Sequence, residues 1–227
     1  MKRFPDLLLL SIAIGTILCC SFSATNLLSN SLRKEKQKQS SVTPSTNRLR
    51  SGDLIFRDGK SYISRTLKQF NRKDSRFSHA GIIHLEGNQA FVYHCIGGEE
   101  NVTNKMKKET LSSFCSPTEI NTYAIYRPAL SKAQIHLLDS ITGSYYTKGI
   151  EFDTHFNIND SRKMYCTELI YNVFDQLLGA ENFISLTDIA GQKYVSCDNI
   201  FLQPQMKELY NYSYSRSNKK INENKSH

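Results

Sequence analysis

Apolar positions recur at helical spacing in the segment KMYCTELIYNVFDQLLG, residues 163–179. They fall on one face of a predicted helix, as Leu169, Ile170, Val173, Phe174, Leu177 and Leu178. Gly179 follows as a natural helix stop. Cys166 therefore lies in the first turn, ahead of the apolar stripe. It is a small core residue, half of a disulfide, or a thiolate stabilised by the positive end of the helix.

Shorter apolar runs predict strands ahead of this helix. Residues 52–56 form one run entered by a Gly-Asp turn, and residues 121–130 form another that Pro128 closes. Between them, two β-rich runs in 78–95 flank the dipeptide Gly87-Asn88, which predicts a tight hairpin.

Two further segments have helical spacing. Residues 60–70 place Ile63, Leu67 and Phe70 on one face of a short predicted helix. A second helix is predicted from the capping residue Ser131 to about Gly143. Strands that come first and helices that flank them indicate an α+β fold with an antiparallel sheet.

Both ends of the chain lack this patterning. Residues 1–24 combine a basic start with an apolar run, which predicts a cleaved signal peptide, an uncleaved anchor or a lipoprotein signal at Cys19 or Cys20. Residues 25–49 form a polar, basic segment that we expect to be a disordered linker, and 207–227 a disordered tail. The folded domain is expected over 50–206. We expect an exported protein that is periplasmic, extracellular or anchored to a membrane.

The formal net charge of +8 raises the question of nucleic-acid binding. Residues 26–50 carry six Lys and Arg against one Glu, and 206–227 carry five against two. The central body, residues 51–205, has a net charge of −1. No nucleic-acid groove is expected in the folded domain, although the basic linker and the N-terminal segment could contact anionic lipid or polymer.

Cys166 has the setting of a nucleophile. The amides at a helix N-terminus favour a thiolate and can bind the oxyanion that forms after attack, so we expect a lowered thiol pKa. His79 is the candidate base because it begins a strand directly before the small pair Ala80-Gly81. A hairpin about Gly87-Asn88 sets His94 opposite Gly81 and diagonally beside His79. A slip of one residue would bring Tyr93 or Cys95 there instead.

Each of these residues has a structural alternative. Cys166 could be a buried thiol, and both histidines could be hydrogen-bonded core residues. Tyr165 could donate to an oxyanion or simply pack before the helix, and the segment that contains Phe152, Asp153 and Phe156 could line the cleft or close a loop. The remaining cysteines of the body are expected to be structural, and an exported chain could pair two of them: Cys95, Cys115 and Cys197. No Cys/His spacing indicates a zinc site, and no cofactor is expected.

Three segments in order, GDLIF, SHAGIIH and EFDTHFNINDSRKMYCTELI, resemble the permuted branch of the NlpC-type papain-like cysteine hydrolases, the YiiX/YebB-like proteins. The cysteine helix follows the other two motifs here, whereas it precedes them in the unpermuted relatives. The resemblance covers roughly 51–205 and implies a circularly permuted papain-like fold. It matches Cys166 to the nucleophile, His79 to the base and His94 to the third polar position.

The resemblance has one departure, because many relatives of this branch have an acidic residue where His94 stands. A histidine there resembles the lecithin:retinol acyltransferase group, so peptide amide and lipid ester both remain possible substrates. Our first hypothesis is an exported, monomeric cysteine hydrolase that cleaves an amide of cell-wall peptide type through an acyl-enzyme. The alternatives are a lipid acyl-ester hydrolase or acyltransferase, and a catalytically silent binding domain.

Overall fold

A computed structural model describes residues 43–98, 101–158, 160, 162–189 and 191–214. The predicted signal peptide or anchor and most of the predicted linker lie outside these residues. Among the helices of the described part of the chain, none combines the length and apolarity needed to cross a bilayer.

Strands and short helices alternate along the chain. The strands are β1 (Leu54–Gly59), β2 (His79–Glu86), β3 (Gln89–His94), β4 (Lys107–Thr110), β5 (Ile120–Pro128), β6 (Glu151–Phe152), β7 (Lys163–Met164), β8 (Thr187–Ile189), β9 (Gln192–Tyr194) and β10 (Met206–Ser213). The helices are α1 (Tyr62–Leu67), α2 (Leu111–Phe114), α3 (Lys132–Lys148), α4 (Cys166–Leu178) and α5 (Cys197–Phe201). Single 3₁₀ turns occupy Thr46–Arg48, Lys68–Phe70 and Gly179–Glu181.

Within the described residues, six strands form one antiparallel sheet in the order β10-β5-β1-β2-β3-β4. The predicted hairpin is present, with Ile82 opposite Tyr93 and Glu86 opposite Gln89. Gly87 adopts φ +56° in its turn, a conformation that glycine reaches without steric cost. The predicted register is therefore confirmed, and the expected α+β fold with it.

Helix α4 packs its apolar stripe against one face of the sheet. The stripe includes Leu169, Ile170, Val173 and Phe174, which are fully buried. They share one core with Leu54 and Phe56 of β1 and with Ala80 and Ile82 of β2. Burying a side chain of this size stabilises the fold by about 1.5–3 kcal/mol. The stripe thus fixes the helix, and with it Cys166, on the sheet.

Helix α3 is longer than the sequence predicted. Ser131 forms the expected cap, but the helix continues through Gly143 to Lys148 and ends at Gly149, which has φ +67°. The expectation of an end near Gly143 was wrong because Tyr145, two residues further on, is buried against the core. Tertiary packing outweighs the modest cost of one glycine inside a helix.

The domain extends beyond the predicted boundary at residue 206. Residues 206–213 form the edge strand β10, paired with β5, so the expected disordered tail cannot begin at 207. Alternate tyrosines hold this strand, because Tyr210 and Tyr212 pack on the buried ring of Tyr123 at 5.6 and 5.9 Å between centroids. At the other end, Leu49 of the predicted linker is buried as well.

Candidate active site

Cys166 is the first residue of α4 and is only 8% exposed. The extended backbone of Tyr165 caps the helix, and its amide donates to the Glu168 carboxyl at 3.2 Å. The backbone amides of Ala80 and Thr167 donate to the thiol. Since Ala80 follows His79 in the chain, the Cys166 sulfur lies beside the start of β2.

The residues on either side of Cys166 hold the backbone of Val195. The Tyr165 hydroxyl accepts from the Val195 amide at 2.9 Å, and the Thr167 hydroxyl donates to the Val195 carbonyl at 2.7 Å. All three residues are buried. This pair of bonds fixes the segment after β9 as a wall next to the thiol, and it gives Tyr165 a structural contact of its own.

The structure brings His79 and His94 together as the hairpin register predicted. His79 Nε2 lies 2.9 Å from His94 Nδ1, and the two rings meet edge to face. Both side chains are buried. Gly81 permits this approach, because a Cβ there would lie 2.4 Å from a Val92 methyl and 3.3 Å from the His94 Cβ. A larger residue at position 81 would separate the strands.

Glu109 lies next to the His94 ring nitrogen that does not contact His79, and it was not predicted from the sequence. Its Oε1 lies 2.9 Å from His94 Nε2 in a bent contact, and Ser113 Oγ donates to its Oε2 at 2.9 Å. Glu109 is on β4, two residues from Lys107, which pairs with His94. Burial alone would raise the pKa of Glu109, but His94, Ser113 and Lys107 outweigh it and lower the pKa to about 2. The carboxylate is therefore ionised and only accepts hydrogen bonds.

This ionised carboxylate sets the tautomers of both rings. Because this carboxylate lies 2.9 Å from His94 Nε2, it favours the tautomer in which His94 carries its proton on Nε2 and accepts at Nδ1. His79 then donates from Nε2, so its Nδ1 keeps a free lone pair. The acidic residue that many relatives have in place of His94 thus has a counterpart in Glu109, which contacts His94 and not His79. Glu109 affects the tautomer of His79 only through His94.

Phe114 and Arg57 complete the packing around the rings. Phe114 stacks on His79 at 5.7 Å and meets the edge of His94 at 5.1 Å. The Arg57 guanidinium lies 4.4 Å from the Phe114 centroid and donates to the Phe114 carbonyl at 3.2 Å. Arg57 could not be identified from the sequence, since an arginine in a strand gives no sign of being buried.

The pKa of Cys166 corrects one expectation. Burial raises the pKa of this thiol, although the amides of Ala80 and Thr167 and the charge of Arg57 oppose the shift. The predicted lowering by the helix end was therefore wrong. Burial, Arg57 and His94 also lower the pKa of His79 well below its usual value. The resting pair is consequently a neutral thiol and a neutral imidazole.

A cavity of about 170 Å³ opens at Cys166. Its walls come from α1, the Tyr165–Thr167 segment and the residues around β8 and β9, and among the described residues none that lines it is charged. Phe156 lines it and stacks on Phe70 with 6.1 Å between centroids. Phe152 packs against Phe156, and the Asp153 carboxylate accepts from the amides of His155 and Asn157, so these two residues support the loop.

The cysteines in the described part of the chain are all buried free thiols, at positions 95, 115, 166 and 197. No disulfide joins them, so the pairing considered for an exported chain does not occur among these residues. Cys197 shares the cavity wall with Cys166. Burial raises the pKa of Cys197 well above its usual value, which makes it a poor nucleophile.

The chain was compared with known proteins. A family model described as permuted papain-like amidase enzyme, YaeF/YiiX, C92 family, matches residues 48–210. No curated protein matches the chain. One similar solved structure is described as that of metalloprotein yiiX from Escherichia coli O157:H7. It is 20% identical with a TM-score of 0.60, over 73% of this chain and 99% of that one, and supports the fold. In the described part of our chain, no group of three or more His, Cys, Asp or Glu is placed to hold a metal ion.

Proposed function

The chain belongs to the permuted papain-like amidase family, YaeF/YiiX, and on that premise we propose that it hydrolyses an amide whose acyl group is apolar, with Cys166 as the nucleophile. We choose an apolar acyl group because the described residues that line the cavity at Cys166 include no charged side chain. Apolar surface buried there would provide the binding energy for the substrate.

The first half of the reaction forms an acyl-enzyme. His79 Nδ1 removes the thiol proton as the Cys166 sulfur attacks the carbonyl carbon of the amide. The backbone amides at the start of α4 are available to stabilise the oxyanion. The imidazolium then gives its proton to the leaving nitrogen as the C–N bond breaks, which releases an amine and leaves a thioester.

The second half returns the enzyme to its starting state. His79 Nδ1 takes a proton from water as the water oxygen attacks the thioester carbonyl. The C–S bond breaks, and the proton returns to sulfur as the carboxylic acid is released. Throughout, His94 and Glu109 hold the His79 ring in the productive tautomer.

Two other activities remain candidates. The apolar cavity and the second histidine also favour a lipid acyl-ester hydrolase or acyltransferase, which would use the same acyl-enzyme. A cell-wall peptide fits less well, because the charged groups of such a peptide would find no charged partner among the cavity residues.

The test is a series of acyl amides with one aromatic amine as the leaving group and acetyl, hexanoyl or decanoyl as the acyl group. We expect kcat/KM to rise roughly fourfold for each methylene that enters the cavity, as burial of about 0.8 kcal/mol per methylene implies. The esters and an added alcohol acceptor separate hydrolysis of amides from acyl transfer. Faster cleavage of a murein peptide than of the decanoyl amide would refute the apolar acyl group.

We also propose that the protein is exported, on the basis of the basic start and apolar run of residues 1–24. Cell fractionation with N-terminal sequencing tests this. The folded domain should be recovered outside the cytoplasm, and a full-length cytosolic product would contradict the proposal.

A further inference from the structure

Helix α1 carries apolar side chains that the core does not use. Tyr62 is 77% exposed, Ile63 is 66% exposed and Phe70, in the following turn, is 44% exposed. The sequence predicted Ile63, Leu67 and Phe70 on one helical face, and in the structure only Leu67 of these is largely covered. Single exposed apolar residues are ordinary, but a group of three beside a cavity indicates an interaction surface.

The same segment is rich in cations. Residues 60–73 contain five Lys and Arg and no Asp or Glu. Lys68 pairs with Asp58 at 3.0 Å, and Lys60 donates to a backbone carbonyl. Arg65, Arg72 and Lys73 are exposed, and no acidic side chain among the described residues pairs with them. We call the group Tyr62, Ile63, Arg65, Phe70, Arg72 and Lys73 the α1 surface.

The backbone beneath the α1 surface is held firmly. The buried carboxylate of Asp198 accepts from the amides of Arg72 at 2.8 Å, Lys73 at 2.6 Å and Asp74 at 3.3 Å. The Asn71 side chain donates to the carbonyls of Lys68 and Phe77 at 3.0 and 2.8 Å. The cations are therefore presented outward from a fixed loop.

The α1 surface is continuous with the cavity. Leu67 and Phe70 line the same cavity as Cys166, and Phe70 is also one of the exposed apolar residues. A cation-rimmed apolar surface is the pattern of segments that lie in the interface of a membrane. An acyl chain leaving such an interface would meet Leu67 and Phe70 first.

We propose that the α1 surface docks onto an anionic phospholipid bilayer, with Tyr62, Ile63 and Phe70 entering the headgroup region and Arg65, Arg72 and Lys73 contacting the headgroups. Charge selects this occupant over two others. A second copy would present the same cations and be repelled, and the chain's own residues 26–50 are also basic. The docking goes beyond the proposed reaction, since it concerns the surface and needs no turnover.

The chain contains no tryptophan, so one introduced tryptophan reports on one place. We would compare full-length Ile63→Trp with Leu137→Trp, using vesicles of phosphatidylglycerol with brominated acyl chains. Leu137 is 49% exposed on α3. Its neighbour Leu138 lies beside Gly52, just before β1, whereas Ser64 of α1 lies beside Gly59 at the other end of β1. The two tryptophans would therefore report on different places. We expect a blue shift and quenching for Ile63→Trp and neither for Leu137→Trp.

A second comparison tests the charges. In the Ile63→Trp background, Arg65→Gln with Arg72→Gln should weaken quenching by phosphatidylglycerol vesicles about 25-fold in lipid concentration, because each cation contributes roughly fivefold. The exposed pair Lys132→Gln with Lys148→Gln on α3 removes the same charge and should change it little.

Four results would each overturn the docking. The first two are that the full chain does not bind the vesicles, or that it binds but leaves the Ile63→Trp fluorescence unquenched. The third is equal quenching of the two tryptophans. The fourth is a blue shift that grows with protein concentration in the absence of lipid. The last result would mean that a second copy covers the α1 surface. Amide hydrolysis of a soluble substrate can succeed or fail independently of all four.

Discussion

Glu109 tests the proposed tautomers of His79 and His94 most sharply. We expect the conservative substitution Glu109→Gln to lower activity more than Glu109→Ala does. Glu109→Ala removes the carboxylate and leaves His94 Nε2 without a partner. Glu109→Gln keeps the shape, but its amide NH₂ can donate to His94 Nε2. That donation reverses both rings, so that His79 is protonated on Nδ1 and cannot accept the Cys166 proton.

The size of the effect follows from the charge that Glu109 carries. The pKa of Glu109 is lowered from 4.5 to about 2 although burial raises it, a net difference worth about 3 kcal/mol that His94, Ser113 and Lys107 together must exceed. A single interaction of this kind contributes on the order of 1 kcal/mol, so losing the charge should lower kcat/KM roughly fivefold. Glu109→Ala should show this loss, and Glu109→Gln a further loss of about tenfold or more.

The assay is steady-state hydrolysis of the decanoyl amide, with circular dichroism to confirm folding. We expect kcat to fall and KM to change little, since Glu109 does not line the cavity. The exposed neighbour Glu119→Gln is the matched control. The tautomer argument would be refuted if Glu109→Gln were as active as wild type or more active than Glu109→Ala. If Glu109 only supported the fold, glutamine would replace it better than alanine.

Two further predictions concern pH. The pKa of His79 is lowered and that of Cys166 is raised, so kcat/KM should stay level from below pH 6.5 to above about pH 9. A fall in kcat/KM near pH 8 would instead indicate a resting thiolate–imidazolium pair. Burial raises the pKa of Glu168 to about 8, so its protonated form favours the fold and stability should fall as pH rises from 4.5 through about 8. Chemical denaturation of Glu168→Gln should lose that fall, whereas the exposed control Glu181→Gln should keep it.

The sequence predicted the parts of the site that depend on local pattern. The dipeptide Gly87-Asn88 determines a two-residue turn, and that turn sets the register that places His94 beside His79. The apolar stripe of α4 likewise fixes which end of the helix Cys166 occupies. Periodicity and turn chemistry sufficed for both.

The remaining features depend on long-range packing. Residues 95–106 separate β3 from β4 by a connection too long for one tight turn to set the strand register, so the pairing that brings Glu109 to His94 could not be predicted. Arg57 is buried with the Phe114 ring over its guanidinium, a contact between residues 57 positions apart in the sequence. The pKa of Cys166 was predicted in the wrong direction because the helix end is visible in the sequence, whereas the depth of burial is not.

The central claim is that Cys166 forms an acyl-enzyme with an apolar acyl group. Intact-protein and peptide mass spectrometry after rapid acid quench of the reaction with the decanoyl amide tests it directly. The account predicts a decanoyl adduct on the peptide that contains Cys166, absent in Cys166→Ala and strongly reduced in His79→Ala. Hydrolysis that persists in Cys166→Ala, or an adduct on Cys197 instead, would contradict it.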